Sequence, residues 1–156
     1  MTAPDTPSRS DGTKESVLAF AKTFPFFRLL GIEIVDVAPG WSKTRIAWRP
    51  ELNQPAGVLH GGIIASLVDT GIAHALILTD TFQKALAEGG AMVSVDLRIK
   101  YLRPVSSGSI VCETTVPRLG RRIIHASSIV KNDAGKDVAT GDSIYMVVAG
   151  SDLQAR

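Results

Sequence analysis

Apolar and polar positions change their period twice along this chain. Between residues 32 and 48 the period is close to two. Ile32, Ile34 and Val37 precede a Pro39-Gly40 turn signal, and Thr44, Ile46 and Trp48 alternate after it. That pattern predicts a β-hairpin, closed at its far end by Pro50. "ELNQPAGVLHG" then reads as a loop carrying Pro55 and Gly57.

From Gly61 or Gly62 the period becomes helical. Ile63/Ile64, Leu67/Val68, Gly71/Ile72 and Ala75/Leu76 recur at spacing four. The positions between them are also mostly small or apolar: Ala65, Ser66, Ala73, Ile77. A helix apolar nearly all round is expected to be buried. The pattern lets it run on to about Glu88, ahead of Gly89-Gly90. Upstream, Val17, Leu18 and Ala21 share one face of a short helix over 15–22, and "FPFFRLL" forms an aromatic segment ended by Gly31.

After Gly90 the period returns to two. Val93, Val95, Leu97, Ile99 and Tyr101 alternate strictly with polar residues, and "SIVCETTVPR", "RRIIHASSIVKN" and "KDVATGDSIYMVVA" follow as three more strands. Breaks fall at Pro104, Ser106-Ser107-Gly108, Leu119-Gly120 and Asn132–Gly135. Two strands, one long buried helix and four strands call for an antiparallel sheet curled around the helix, an α+β domain.

Composition narrows this picture. The 156 residues suit one core. Residues 1–14, rich in Pro, Ser, Thr and Asp, read as a disordered arm; 15–149 as the domain; 150–156 as a loose tail. A formal charge of +2 is too small to argue for nucleic acid. No segment is long and apolar enough to span a membrane, and the N-terminus lacks the order of a signal peptide. One cysteine, Cys112, permits no internal disulfide and fits a reducing compartment, the cytoplasm.

The candidate chemistry lies in "QPAGVLHGGIIASLVDTG", residues 54–71. Asp69 stands alone in an apolar helical run, where a carboxylate is costly unless something pairs with it or uses it. Ser66 one turn earlier would be a structural partner. His60-Gly61-Gly62 opens the helix. The first N–H groups of a helix are unpaired and carry the positive end of its dipole, so they suit an anionic oxygen. The glycines leave its approach unblocked. His60 could hold a carbonyl, orient the loop or cap the helix. In the first strand after the helix, alternation sets Ser94 opposite the face of Val93 and Val95. Arg118, Arg121 and Arg122 flank a tight turn that is either a solvated tip or a phosphate clamp; Arg103 could join them. The three histidines have no ligand spacing, so no metal is expected. The aromatics Phe24, Phe26, Phe27 and Leu30 could lid an apolar pocket.

The stretch "QPAGVLHGGIIASLVD", followed by "SVDLRIKYLRPV", resembles the PaaI-like acyl-CoA thioesterases of the hotdog fold, over about residues 24–148. The resemblance implies a curved antiparallel sheet around one central helix. It implies that Gln54 orients the water or the carboxylate and that His60 and Gly61 face the substrate oxyanion; by the helix-end argument the Gly62 N–H is a second, less favoured donor to the substrate. It also implies that Asp69 is nucleophile or general base and that Ser94 assists the water. The expected reaction turns acyl-CoA into free acid and coenzyme A, with no cofactor beyond the coenzyme A of the substrate. Two rivals remain: a non-catalytic acyl-CoA-binding protein, and an enoyl-thioester hydratase. The latter needs an Asp and a His a few residues apart in one loop, where this chain has Asn53 and Gln54.

Helix geometry adds a partner. Nine residues at 100° and 1.5 Å each set His60 and Asp69 about half a turn apart and ~13 Å along the axis. One substrate reaches both only if an antiparallel second helix lies alongside. A homodimer with two shared sites is expected, possibly paired into a homotetramer. Ala65, Ser66 and Ala73 would permit the close approach.

Overall fold

The computed structural model describes residues 12–151. The arm and the end of the tail therefore lie largely outside the described residues. Helix α1 (Lys14–Thr23) opens on Thr13, whose side chain caps the Ser16 N–H. Helix α2 (Pro25–Leu30) follows at once, with Pro25 in its first turn, where a missing N–H costs nothing. Gly31, at φ 75°, ends α2 in the left-handed conformation that glycine adopts without strain.

The hairpin is β1 (Ile32–Ala38) and β2 (Trp41–Ala47). A bulge between Ile34 and Asp36 shifts the parity, so that Ile32 and Val37 both point inward although five residues separate them. After a 3₁₀ turn over Pro50–Leu52 comes α3 (Gly61–Ile77), then α4 (Asp80–Ala87). The single helix expected to reach Glu88 is thus two, bent by 82°. The break is at Leu78-Thr79. Thr79 caps α4 by accepting from the Phe82 N–H, while its own hydroxyl donates to Leu76 O. No single helix among the described residues is long and apolar enough to cross a membrane.

Four strands complete the sheet: β3 (Ala91–Tyr101), β4 (Ser109–Leu119), β5 (Ile123–Asn132) and β6 (Asp137–Val148). All pairings are antiparallel, in the order β1-β2-β4-β5-β6-β3, which leaves β1 and β3 at the edges. Helix α3 touches every strand. This is the expected α+β hotdog arrangement. Ile46, Leu67, Ile72, Leu76, Ile110 and Ile124 are its largest fully buried side chains.

Two glycines set the helix close to the sheet. A Cβ on Gly71 would sit 2.8 Å from Thr114 Oγ1, and one on Gly141 would sit 2.7 Å from Val68 Cγ1. Ser42 Oγ donates to Gly71 O at 2.6 Å and pins the contact. Burial of α3 is incomplete, however. Gly62 is exposed, and Ala65, Ser66, Asp69 and Ala73 are only half-covered, so they form one stripe that the sheet does not close over.

The strict alternation expected in β3 does not hold. A bulge between Ser94 and Asp96 reverses the faces midway. Met92, Leu97 and Ile99 pack on the core, while Val93 and Val95 are 37% and 58% exposed. Ser94 therefore shares the helix-facing side of β3 rather than lying opposite the core.

Candidate active site

The loop before α3 is tied down by its own chain. Leu59 N–H donates to Val105 O, His60 N–H to Leu52 O, and Trp48 Nε1 to Asn53 Oδ1 at 2.8 Å. A turn closed by Gly57 N–H on Gln54 O fixes the Gln54 backbone. Gln54 and Gly61 are thereby brought to one cavity of about 460 Å³, lined also by Ile64, Tyr101, Leu102 and Val105.

At the head of α3, His60 Nδ1 accepts from the Gly62 N–H at 2.9 Å. His60 is therefore the cap, and the Gly62 N–H is spent on it rather than free for a substrate oxygen, as had been expected of Gly62. Because Nδ1 accepts, the ring proton of neutral His60 sits on Nε2, a donor on an exposed side chain. The Gly61 N–H has no acceptor among the described residues. Tyr101 lies over this point: its hydroxyl donates to Gly61 O at 3.0 Å, and a Cβ on Gly61 would meet its ring at 3.1 Å. Tyr101 was read from the sequence only as an alternating apolar position.

Asp69 is not in that cavity. It sits half-buried on the open stripe of α3. Its partner is not Ser66, whose hydroxyl donates to Gly62 O, but Tyr145 of β6, whose phenol donates to Asp69 Oδ1 at 2.7 Å. Ser94 stands directly opposite Tyr145 across the β3–β6 ladder. Burial, then the Asp69 charge and hydrogen bond, push the Tyr145 pKa well above the ordinary phenol range, with Ser94 opposing them. No sequence spacing signals Tyr145, because its place depends on sheet register.

The structure thus yields two clusters: Gln54, His60 and Gly61 at the head of the helix, and Asp69, Ser94 and Tyr145 two turns further on. Arg118, Arg121 and Arg122 come together elsewhere, around a cleft of about 640 Å³ at the β4–β5 hairpin that His125 also lines. None of the three is in an ion pair among the described residues. Arg103 does not join them. It lines the Gln54 cavity, and its guanidinium donates to Asp137 O. None of Phe24, Phe26, Phe27 or Leu30 lines the Gln54 cavity; Phe27 meets the His74 ring in a tilted contact, with centroids 5.5 Å apart. His74 is buried and bonded to Thr70 O, and Cys112 is fully buried in the core. Among the described residues no three His, Cys, Asp or Glu side chains gather as metal ligands.

Comparison with known proteins agrees with this geometry. The model of the thioesterase superfamily matches residues 56–139. Acyl-coenzyme A thioesterase 13 of Homo sapiens is 34% identical over 137 residues, 86% of this chain and 93% of that one. Medium/long-chain acyl-CoA thioesterase YigI of Salmonella typhimurium is 26% identical, over 82% and 88%. Among solved structures, thioesterase HI1161 of Haemophilus influenzae superposes with a TM-score of 0.74 at 26% identity, covering 88% of this chain and 92% of that one. The PaaI protein of E. coli shares the fold, with a TM-score of 0.71 at 22% identity over 85% and 90%. The chain belongs to the thioesterase superfamily. It is a hotdog-fold thioester hydrolase.

Proposed function

We propose that the protein hydrolyses acyl-CoA thioesters to a free acid and coenzyme A. The observation that carries this reading is the Gly61 N–H at the head of α3, without an acceptor among the described residues, in a residue that lines the Gln54 cavity. A thioester oxygen there meets a preorganised donor at the positive end of the helix dipole; one such donor is typically worth ~10²–10³ in rate. Relatives named as acyl-CoA thioesterases support the substrate class.

Asp69 takes a proton from water as the water oxygen adds to the carbonyl carbon. The oxyanion collapses, the C–S bond breaks, and the thiolate leaves with the proton that Asp69 held. In the alternative course Asp69 attacks the carbonyl, and water then clears the mixed anhydride. His60 Nε2–H and Gln54 are placed to hold the carbonyl or the water.

Along one continuous helix the Gly61 and Asp69 clusters stand ~12 Å apart. A site using both is completed by a second copy whose α3 runs antiparallel along the open stripe of Gly62, Ala65, Ser66, Asp69 and Ala73. The unpaired edge of β3 supports the same partner, since it offers a free ladder of backbone groups beside that stripe. The functional unit is a homodimer with two shared sites, able to pair into a tetramer. A cytoplasmic setting fits a chain with a single cysteine. The unpaired arginines of the β4–β5 hairpin suit the phosphates of coenzyme A.

A panel of aromatic, short, medium and long acyl-CoAs, read by thiol release together with the free acid, tests the reading. Turnover of at least one member is expected. Binding without thiol release would mark a sensor, and hydration of an enoyl-CoA with its thioester intact would mark a hydratase.

A further inference from the structure

We propose that Tyr145 is a positioning residue for the hydrolytic carboxylate, its phenol holding one oxygen of Asp69. The inference rests on the reading of Asp69 as base or nucleophile.

The geometry is specific. Asp69 lies on the part of α3 that the sheet leaves open, where a carboxylate is free to turn about two torsions. Among the described residues its side chain has one hydrogen-bond donor, the Tyr145 hydroxyl, at 2.7 Å from Oδ1. The same hydroxyl lies 3.3 Å from the Asp69 carbonyl oxygen. Tyr145 is only 5% exposed, so its ring cannot swing away without disturbing the core. The bulge after Ser94 sets that hydroxyl opposite Tyr145 on the helix side of β3. Without the bulge, one parity would not serve both Ser94 and the inward Leu97 and Ile99.

The result is a directed hold: the phenol donates to Oδ1. Oδ2 keeps its lone pairs for water or the thioester carbon. The phenol stays a donor throughout any working range, because burial and the Asp69 charge hold it protonated. A reacting group displaced by ~1 Å can lose as much as 10² in rate. The loss of this hold is therefore felt in turnover rather than in binding.

The experiment is a double-mutant cycle of Tyr145→Phe and Asp69→Asn in the full chain, on the acyl-CoA with the highest turnover. Tyr145→Phe keeps the ring and removes one oxygen. The expected result is a fall in kcat of about 10- to 100-fold with KM changed less than about twofold. Added to Asp69→Asn, the same change should alter kcat by less than about twofold, because the group it positions is gone. Near wild-type kcat in Tyr145→Phe while Asp69→Asn is inactive overturns the positioning role and leaves Asp69 standing. So does a fully additive loss in the double variant. Wild-type kcat in Asp69→Asn overturns the reading of Asp69, and the positioning role with it. Should Tyr145→Phe fail to fold, Tyr145→Met and Tyr145→Leu, which also remove the hydroxyl and leave an apolar side chain, take its place. In a folded variant kcat should fall by about tenfold or more with KM little changed, whereas near wild-type kcat overturns the positioning role.

Discussion

The head of α3 and its middle present two kinds of site on one helix. At the head, the candidate reactive group is backbone. Gly61 offers an N–H because every helix begins with unpaired donors, and His60 takes up the neighbouring one within two residues of chain. In the middle, the candidate reactive group is a side chain, and its partner arrives from 76 residues away in sequence. A backbone site is preorganised by the helix itself and damaged chiefly by obstruction. A side-chain site depends on the register of β3 and β6 and is damaged by removing a single oxygen.

The largest effect should come from the middle. Asp69→Asn keeps shape and can still accept from Tyr145, yet it removes the proposed base or nucleophile. A fall in kcat of about 10² or more is expected, in line with general-base contributions, with an unchanged melting temperature. Wild-type turnover would remove the middle of the helix from the site altogether.

Obstructing the head should come close behind. A side chain at Gly61 meets the Tyr101 ring at 3.1 Å and crowds the free N–H. Gly61→Val should cost about as much as the loss of an oxyanion donor, ~10²–10³ in kcat. The two lesions then test whether the regions serve one substrate across two chains. Mixed dimers of Asp69→Asn and Gly61→Val keep one site with both halves intact, so part of the activity should return. Confirmed subunit exchange with no recovery would mean that the regions do not meet across a dimer.

The comparison also explains what could be read in advance. The change of period from two to helical and back specifies a helix inside a sheet, and the hotdog arrangement follows. The head of α3 was legible because its parts are contiguous: Gln54, His60 and Gly61 lie in one short stretch. The middle was legible only by half. Asp69 stands out as a lone acid in an apolar run, but Tyr145 looks like one more strand residue until register sets it opposite Ser94. Ser94 does lie opposite the face of Val93 and Val95, but that face is the open one, and the bulge that then turns Leu97 and Ile99 inward leaves no mark in "MVSVDLRIKYL" that separates it from clean alternation. The break after Ile77 had a signal, Thr79 before Asp80, but continuing apolar character at Ile77 and Leu78 masked it.

A third region takes neither end of the reaction and gives a smaller effect. If Arg118, Arg121 and Arg122 hold the phosphates of coenzyme A, replacing all three by Gln should raise KM about tenfold for full CoA thioesters; one charge-assisted contact is worth ~1.5–3 kcal/mol when well made and less when exposed. Pantetheine thioesters, which lack the nucleotide, should change little. Equal effects on both substrates would make the hairpin a solvated tip.

The smallest effect separates two duties at the head of the helix. His60 caps the Gly62 N–H through Nδ1 and presents Nε2–H outward. His60→Ala loses both functions. The lost cap should cost ~1 kcal/mol, a fall of ~2–4 °C in melting temperature for a chain of this size. His60→Asn restores a side-chain acceptor at the cap position, and its melting temperature should return to within about a degree of wild type, since Asn ranks with the best caps. The Asn amide is too short to present a donor where the imidazole Nε2–H lies, so kcat should stay as low in His60→Asn as in His60→Ala if His60 holds the thioester oxygen alongside the Gly61 N–H. Recovery of both stability and kcat in His60→Asn would show that His60 acts only through the cap. The backbone N–H of Gly61 would then be the one donor that the head of the helix supplies.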